Sequence, residues 1–436
     1  MLNRRRHHVS VLLLGAIALL LPLLAAPAQL SAAQEASPEA VQASGEVSLW
    51  TEFTQGGEGA GIEELVETWN AMGNGITVSH RPIGNEEFFT VIRTALAGGE
   101  PPDLLQYEGY QQTRDFAAAE QLTDLTDLWE TARDGFLLSE AGERACTYEG
   151  RIYCIPYTYH TGFQIYYNPE ILEANGIEVP QTWDEFTAAM DTLKAAGVTP
   201  IALGAIDGWP AEHWWMAFLV QRCGVETIYD AIEQDGAAFT DDCFVQAAAD
   251  LQALAQNGYL SPGATGEDYP TAQAVFLSGQ AAFFQTGSWF ASGWEQTPPS
   301  FDVGIMPFPR FADAEFGEDV TGAVTHVFAI PTGAQNPEAA MDVLEWMTTE
   351  EAGAIWARNG NMSLIDGAVE GNAPEVIQEL WATVGDANAA LPWIENELPP
   401  GVGEDRVYSG SVALLTGEMT PEQFGQSIQE ALEASA

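Results

Sequence analysis

Apolar residues recur along this chain in two rhythms, and the switches between them predict its elements. From Glu46 to Phe53 (EVSLWTEF) apolar and polar positions alternate as on a half-buried strand. After the glycine-rich TQGGEGAG the spacing lengthens, and Ile62, Leu65, Val66 and Trp69 fall on one face of a helix over 62–70. ITVSHRPI (76–83) then reads as a strand, 86–97 as a helix closed by Gly98 and Gly99, and PPDLLQY (101–107) as a third strand. This order predicts an α/β architecture with a mostly parallel sheet covered by helices. A second αβ region follows. It has a strand at GFQIYY (162–167), a helix starting at Asn168-Pro169-Glu170, and a capping-box pattern at Thr182 and Glu185. A buried strand is expected over 198–205 and another over 323–331, with helices at 337–348 and 421–434.

The run VFLSGQAAFFQTGSWF (275–290) packs three expectations into little space. A helix ends near Ser278 and Gly279, a buried strand covers 280–285, and a turn at Thr286-Gly287-Ser288 opens a new helix. Trp289 then stands at the carboxyl end of a strand, where ligands bind in open α/β sheets. Filling a core is the other use of such a ring, and the local pattern does not separate the two.

Composition narrows the partners. The 436 residues are 46% hydrophobic, enough for one large or two medium cores, and carry 14 Lys and Arg against 63 Asp and Glu, a formal charge of −49. Such a field repels nucleic acid and anionic lipid. Lys194 is the only lysine, which removes P-loop and Schiff-base chemistry almost everywhere. At the start, Arg4, Arg5 and Arg6 precede an apolar stretch from Val9 to Leu24 and then small residues, the layout of a secretory signal over 1–33. Cleavage after Ala28 or after Ala33 fits, and no cysteine follows for a lipid anchor. With the second cut, 11 basic residues face 63 acidic ones, and the charge goes from −49 to −52 as the three arginines leave. Residues 34–45 are expected as a disordered leader. Export makes disulfides available. Cys146 and Cys154 flank a hairpin turn at Glu149-Gly150, and Cys223 with Cys243 forms the second expected pair.

The order of the pieces resembles the extracellular solute-binding proteins of bacterial ABC importers, in the sugar-binding, maltose-binding-protein-like family. The stretches that carry it include LWTEF, GGEPPDLLQY, YEGRIYCIPYTYHTGFQIYYNPEIL, VPQTWDEF, VFLSGQAAFFQTGSWF and IPTGAQNPEAAMDVLEWM. The resemblance implies a two-lobe periplasmic-binding-protein fold of type II, with discontinuous lobes joined by a hinge of crossing strands. It places the first crossing near 155–160 and the second near 322–326. The N-lobe is then 46–156 plus 326–371, and the C-lobe 157–325 plus 372–436. Residues 391–410 match the family poorly. The implied function is capture of a mono- or oligosaccharide for the permease subunits of an importer, by a monomer without cofactor or catalytic residues.

Sugars are held by aromatic faces against the ring C–H surface and by planar polar groups on the hydroxyls. Resemblance and chemistry together nominate Trp50 and Glu52 after the first strand, Tyr107 and Glu108 after the third, and Tyr159 and His160 at the hinge. Asp207, Trp209, His213 and Trp214 follow in AIDGWPAEHWW, with Trp289 as the platform and Thr325 or His326 on the second crossing. Each has an ordinary structural use as well, and His160, His213 and His326 are too scattered along the chain to be expected as a metal set. Two other functions fit the composition: a secreted glycan-active hydrolase, since paired carboxylates near aromatics also serve glycosidases, and a receptor of the same fold for a cationic small molecule.

Overall fold

The structure, a computed structural model, describes residues 45–54, 56–295, 298–312, 314, 320–386, 389–399 and 401–435. The expected signal segment 1–33, and the leader up to residue 44, lie outside them. A five-stranded sheet runs in the order Ile76–Pro82, Gly45–Thr51, Leu104–Glu108, Ala323–Ala329, Ile155–His160. Its first three strands are parallel, as the β-α-β-α-β pattern predicts, while Ala323–Ala329 runs antiparallel to both its neighbours. The second sheet orders Gly304–Pro307, Gln164–Tyr167, Ala281–Gln285 and Thr199–Ile201, with parallel pairing between the last two and antiparallel pairing elsewhere. All five residues of Ala281–Gln285 are buried, because helices cover both faces of this strand.

Two crossings join the sheets. Residues 161–163 carry the chain from Ile155–His160 in the first sheet to Gln164–Tyr167 in the second, and Ala323–Ala329 brings it back beside the strand it left. Their register shifts between Val324 and His326 and again between His326 and Val327, so the paired crossings are locally irregular. Gly322 presses on the other crossing so closely that a Cβ would lie 1.7 Å from the carbonyl oxygen of His160. The Tyr159 hydroxyl donates to the Gly322 carbonyl at 2.8 Å, and its ring stacks on Trp381. Arg114 and Arg144 on helices Gln111–Ala118 and Ser139–Cys146 both reach the buried carboxylate of Glu397, at 2.9 and 3.3 Å.

Local expectations meet the structure with one instructive exception. Thr147–Tyr148 and Arg151–Ile152 form the hairpin, with Glu149 and Gly150 both at positive φ (47° and 76°), the conformation that two-residue hairpin turns demand. The bridges Cys146–Cys154 and Cys223–Cys243 are both formed. Thr182 and Glu185 cap reciprocally, each side chain accepting from the other's backbone N–H at 3.3 and 3.1 Å. The exception is the helix expected over 62–70, which spans Gly56–Ala71 and so begins inside the supposed glycine-rich loop. Glycine is a poor helix former, yet here its missing side chain is what the packing needs. A Cβ on Gly57 would lie 2.1 Å from the carbonyl oxygen of Asn359 and 2.4 Å from that of Ser292, and one on Gly61 would lie 2.7 Å from the Trp356 ring. The helix therefore docks backbone to backbone against Ser292, which follows the second sheet's central strand.

Candidate ligand-binding site

Aromatic rings from five segments converge beside the crossings. The turn after Ala281–Gln285 opens the short helix Trp289–Ser292, and the Trp289 ring lies directly over Gly287, where any Cβ would strike it at 2.0 Å. Around Trp289 stand Trp209 at 5.9 Å, His213 at 5.7 Å, Trp393 at 5.7 Å and His160 at 5.2 Å between ring centroids. Tyr269 extends the wall at 4.8 Å from Trp209 and is fixed by a hydrogen bond from Thr286 at 3.1 Å. Trp209, Tyr269 and Trp289 are half-buried, while His213 and Trp393 back them from within. Half-buried, mutually braced rings offer apolar faces at little further ordering cost.

Opposite in character is a charged group on the crossing strands. His326 Nε2 lies 2.7 Å from Glu52 Oε1 and its Nδ1 3.4 Å from Glu58 Oε1, which in turn is 3.2 Å from His160 Nε2. Gln106 orients Glu52 by donating to its carboxylate at 3.1 Å and accepting from its backbone N–H at 2.9 Å. Burial disfavours charge on His326, but the two carboxylates outweigh it and raise its pKa to about 10. Burial likewise pushes the Glu58 carboxyl up, and the close approach and charge of His160 and His326 more than reverse that, holding it well below the usual range. His160 is lowered, first by burial.

Residues 54–354 match the profile of the bacterial extracellular solute-binding proteins. The chain belongs to this family. Among its relatives is an uncharacterised ABC-transporter extracellular-binding protein of Pyrococcus horikoshii, 26% identical over 80% of this chain and 78% of that one. The multiple sugar-binding protein of Streptococcus mutans is 26% identical over 60% of this chain and 62% of its own length. Among solved structures, a chitin oligosaccharide binding protein superposes with a TM-score of 0.79 at 25% identity, covering 90% of this chain and 98% of that one. A structure from a study of xylan utilisation by Caldanaerobius polysaccharolyticus reaches 0.82 at 21% identity, covering 88% and 99%, and shares the fold.

In this solute-binding protein the structure brings Trp209, His213, Trp289, His160, Glu52 and Glu108 together and moves several other nominated residues away. Glu108 stands opposite His326 in the strand register, and its carboxylate, Glu52 and His326 have donor atoms within 4.8 Å of one another. Tyr107 is not at the site: its ring is wholly buried against Phe116, and its hydroxyl is 3.2 Å from that of Thr113. Trp214 is likewise a core residue with no exposure, packed on Phe186, Phe218 and Phe308. Trp50 turns to the neighbouring strand, where the Arg81 guanidinium lies 4.4 Å from its ring centroid. Tyr159 serves the crossing itself. Asp207 is half-buried in the loop leading to helix Trp209–Ile232, and the side chain of Thr325 lies outside the described structure.

Five members of the site escaped the sequence pattern, Tyr269 of the wall among them. Glu58 was hidden in the glycine-rich segment, and Trp393 in a segment unlike the family. Glu212 and Glu395 form a third histidine–carboxylate group with His213, their donor atoms within 4.8 Å. Burial first, then Glu395, drives the Glu212 carboxyl well above its ordinary pKa, while burial lowers His213 to about 3. Tyr408 donates to Glu395 at 3.0 Å. The scattered histidines also prove less scattered than expected: His160 and His326 meet with ring centroids 5.0 Å apart.

Proposed function

We propose that this chain is the substrate-binding component of an ABC importer that captures a sugar or oligosaccharide outside the cytoplasmic membrane and delivers it to the permease. The observation that carries this reading is the braced wall of Trp209, Tyr269 and Trp289, held open by Gly287. Flat apolar faces suit the C–H surface of a pyranose ring, and Glu52, Glu108 and His213 beside them suit its hydroxyls. Relatives named for sugar, α-glucoside and diacetylchitobiose binding support the same ligand class. The lobes are 46–156 plus 326–371 and 157–325 plus 372–436, closing about the two crossings as a monomer. The signal segment directs export and is then cleaved after Ala28 or Ala33; among the described residues no helix is long and apolar enough to cross a membrane.

A thermal-shift screen over mono- and oligosaccharides tests it. A ligand at a hundred times its dissociation constant adds about 2.7 kcal/mol of stability, a shift of several degrees. Stabilisation by amines or basic peptides with no response to any sugar, or hydrolysis of chromogenic glycosides, would overturn the assignment.

A further inference from the structure

We propose that Glu58, His160 and His326 form a binding site for a divalent transition-metal ion of the zinc type at the crossing strands. Zinc bonds of about 2.0–2.1 Å at tetrahedral angles separate neighbouring donor atoms by roughly 3.3 Å. Glu58 Oε1 lies 3.2 Å from His160 Nε2 and 3.4 Å from His326 Nδ1, so two edges of such a tetrahedron already stand. The two imidazole planes meet at 87°, with all three donor atoms within 4.8 Å.

Two further observations separate a metal site from an ordinary ion cluster. Glu58 Oε1 and His326 Nδ1 are sealed from solvent, and at these short distances neither is aligned for a hydrogen bond. A buried polar atom left so carries a desolvation cost, and a cation between these two would satisfy both. The far nitrogen of His326 meets Glu52 Oε1 at 2.7 Å, and Glu52 is oriented in turn by Gln106. A ligand histidine backed by a carboxylate, itself held by a hydrogen bond, is how proteins fix the ring and sharpen its basicity. The donors sit on regular structure: two on paired strands, the third in the first turn of the 16-residue helix Gly56–Ala71. Two imidazoles and one carboxylate suit zinc and its first-row neighbours, and the fourth position is left to water or a ligand oxygen.

The inference does not depend on sugar binding, and its test uses no sugar. The full chain, stripped with a chelator and dialysed, should take up one equivalent of Zn2+ with micromolar affinity or better, and its Tm should rise. Reconstitution with Co2+ should give the visible absorption of a low-symmetry, four-coordinate ion. Glu58→Gln, close in shape to the native residue, should weaken zinc at least tenfold while keeping the native circular dichroism. Glu52→Gln, acting through His326, should weaken it about 10–100-fold. Absence of stoichiometric uptake by the native chain, or uptake with the same affinity in Glu58→Gln, would overturn the proposal.

Discussion

His326 and His213 are both more than nine-tenths buried, and each has a glutamate beside it, yet their charges are opposite in outcome. His326 is held protonated, with its pKa raised to about 10, whereas His213 is pushed down to about 3. Burial alone would leave both neutral, since it penalises whichever form is charged. The difference lies in partners. His326 has one carboxylate at 2.7 Å and a second at 3.4 Å, on opposite ring nitrogens. His213 has a single carboxylate oxygen at 3.6 Å, on Glu212, whose own carboxyl burial and Glu395 hold protonated. With no metal ion bound, one group is thus a charged clamp on the crossing strands, the other a neutral polar backing for the aromatic wall. A histidine next to a glutamate in sequence is no ion pair by that fact.

The largest expected effect comes from separating the clamp from the wall. Gly57 sits where the helix bearing Glu58 meets Ser292, three residues beyond Trp289. In Gly57→Ala the added Cβ would fall 2.4 Å from the Ser292 carbonyl and 2.1 Å from that of Asn359. Both are backbone atoms, so the helix must shift, which takes Glu58 from His326. Overpacking of this kind costs about 1–3 kcal/mol of folding stability, so the Tm should fall by several degrees, and affinity for the sugar identified by screening should fall as the clamp is displaced. Solution scattering is the second readout: the native protein should contract on adding ligand and the variant should not. Contraction and affinity both unchanged would show that this seam is not part of closure.

What the sequence discloses divides along the same line. The wall's central residue was legible because helix, strand, turn and Trp289 lie within sixteen consecutive residues, with Gly287 marking the turn. The hairpin at Glu149-Gly150 and the capping box at Thr182 were legible for the same reason, as local chemistry with fixed spacing. The clamp was legible only residue by residue: Glu52, His160 and His326 stood out singly, but the members at positions 52, 58, 106, 160 and 326 meet only through sheet pairing and helix docking. Glu58 was obscured further, because glycines that permit close docking look like those of a loop. Tyr107 and Trp214 were misplaced because their elements are covered on both sides: the strand Leu104–Glu108 is buried at four of its five positions, so alternation does not say which face looks into the cleft.

A second, smaller effect tests the wall by itself. Trp289→Ala removes the ring on which Trp209, His213 and Trp393 converge. Truncating a central aromatic in a binding patch costs about 2 kcal/mol, close to a thirtyfold loss of sugar affinity. Because Trp289 is only half-buried, the unliganded Tm should change much less than for a fully buried tryptophan, whose removal costs roughly 3–5 kcal/mol. A large fall in Tm with affinity unchanged would make Trp289 a core residue and dissolve the wall as a site.

The smallest effect concerns the neutral group. Glu212 is wholly buried, faces Glu395 and, farther off, Glu108, and adjoins neutral His213 and the Tyr408 hydroxyl that binds Glu395. Its carboxyl is protonated in the folded chain well above the pH at which the unfolded chain ionises it, near 4.5. The folded state therefore holds a proton that the unfolded state has released, and stability falls as pH rises from about 4.5 toward the raised value. Glu212→Gln keeps the neutral shape without the proton. Its Tm should exceed that of the native chain at pH 7–8, and the gap should shrink as pH is lowered and vanish once the unfolded carboxyl is also protonated. The sign is the informative part, because a glutamate ion-paired to His213 would give the reverse: its loss would destabilise at neutral pH and be harmless in acid. A Tm deficit at pH 7 that disappears below about pH 4 would therefore make the two histidine–carboxylate groups alike and remove the contrast between clamp and wall.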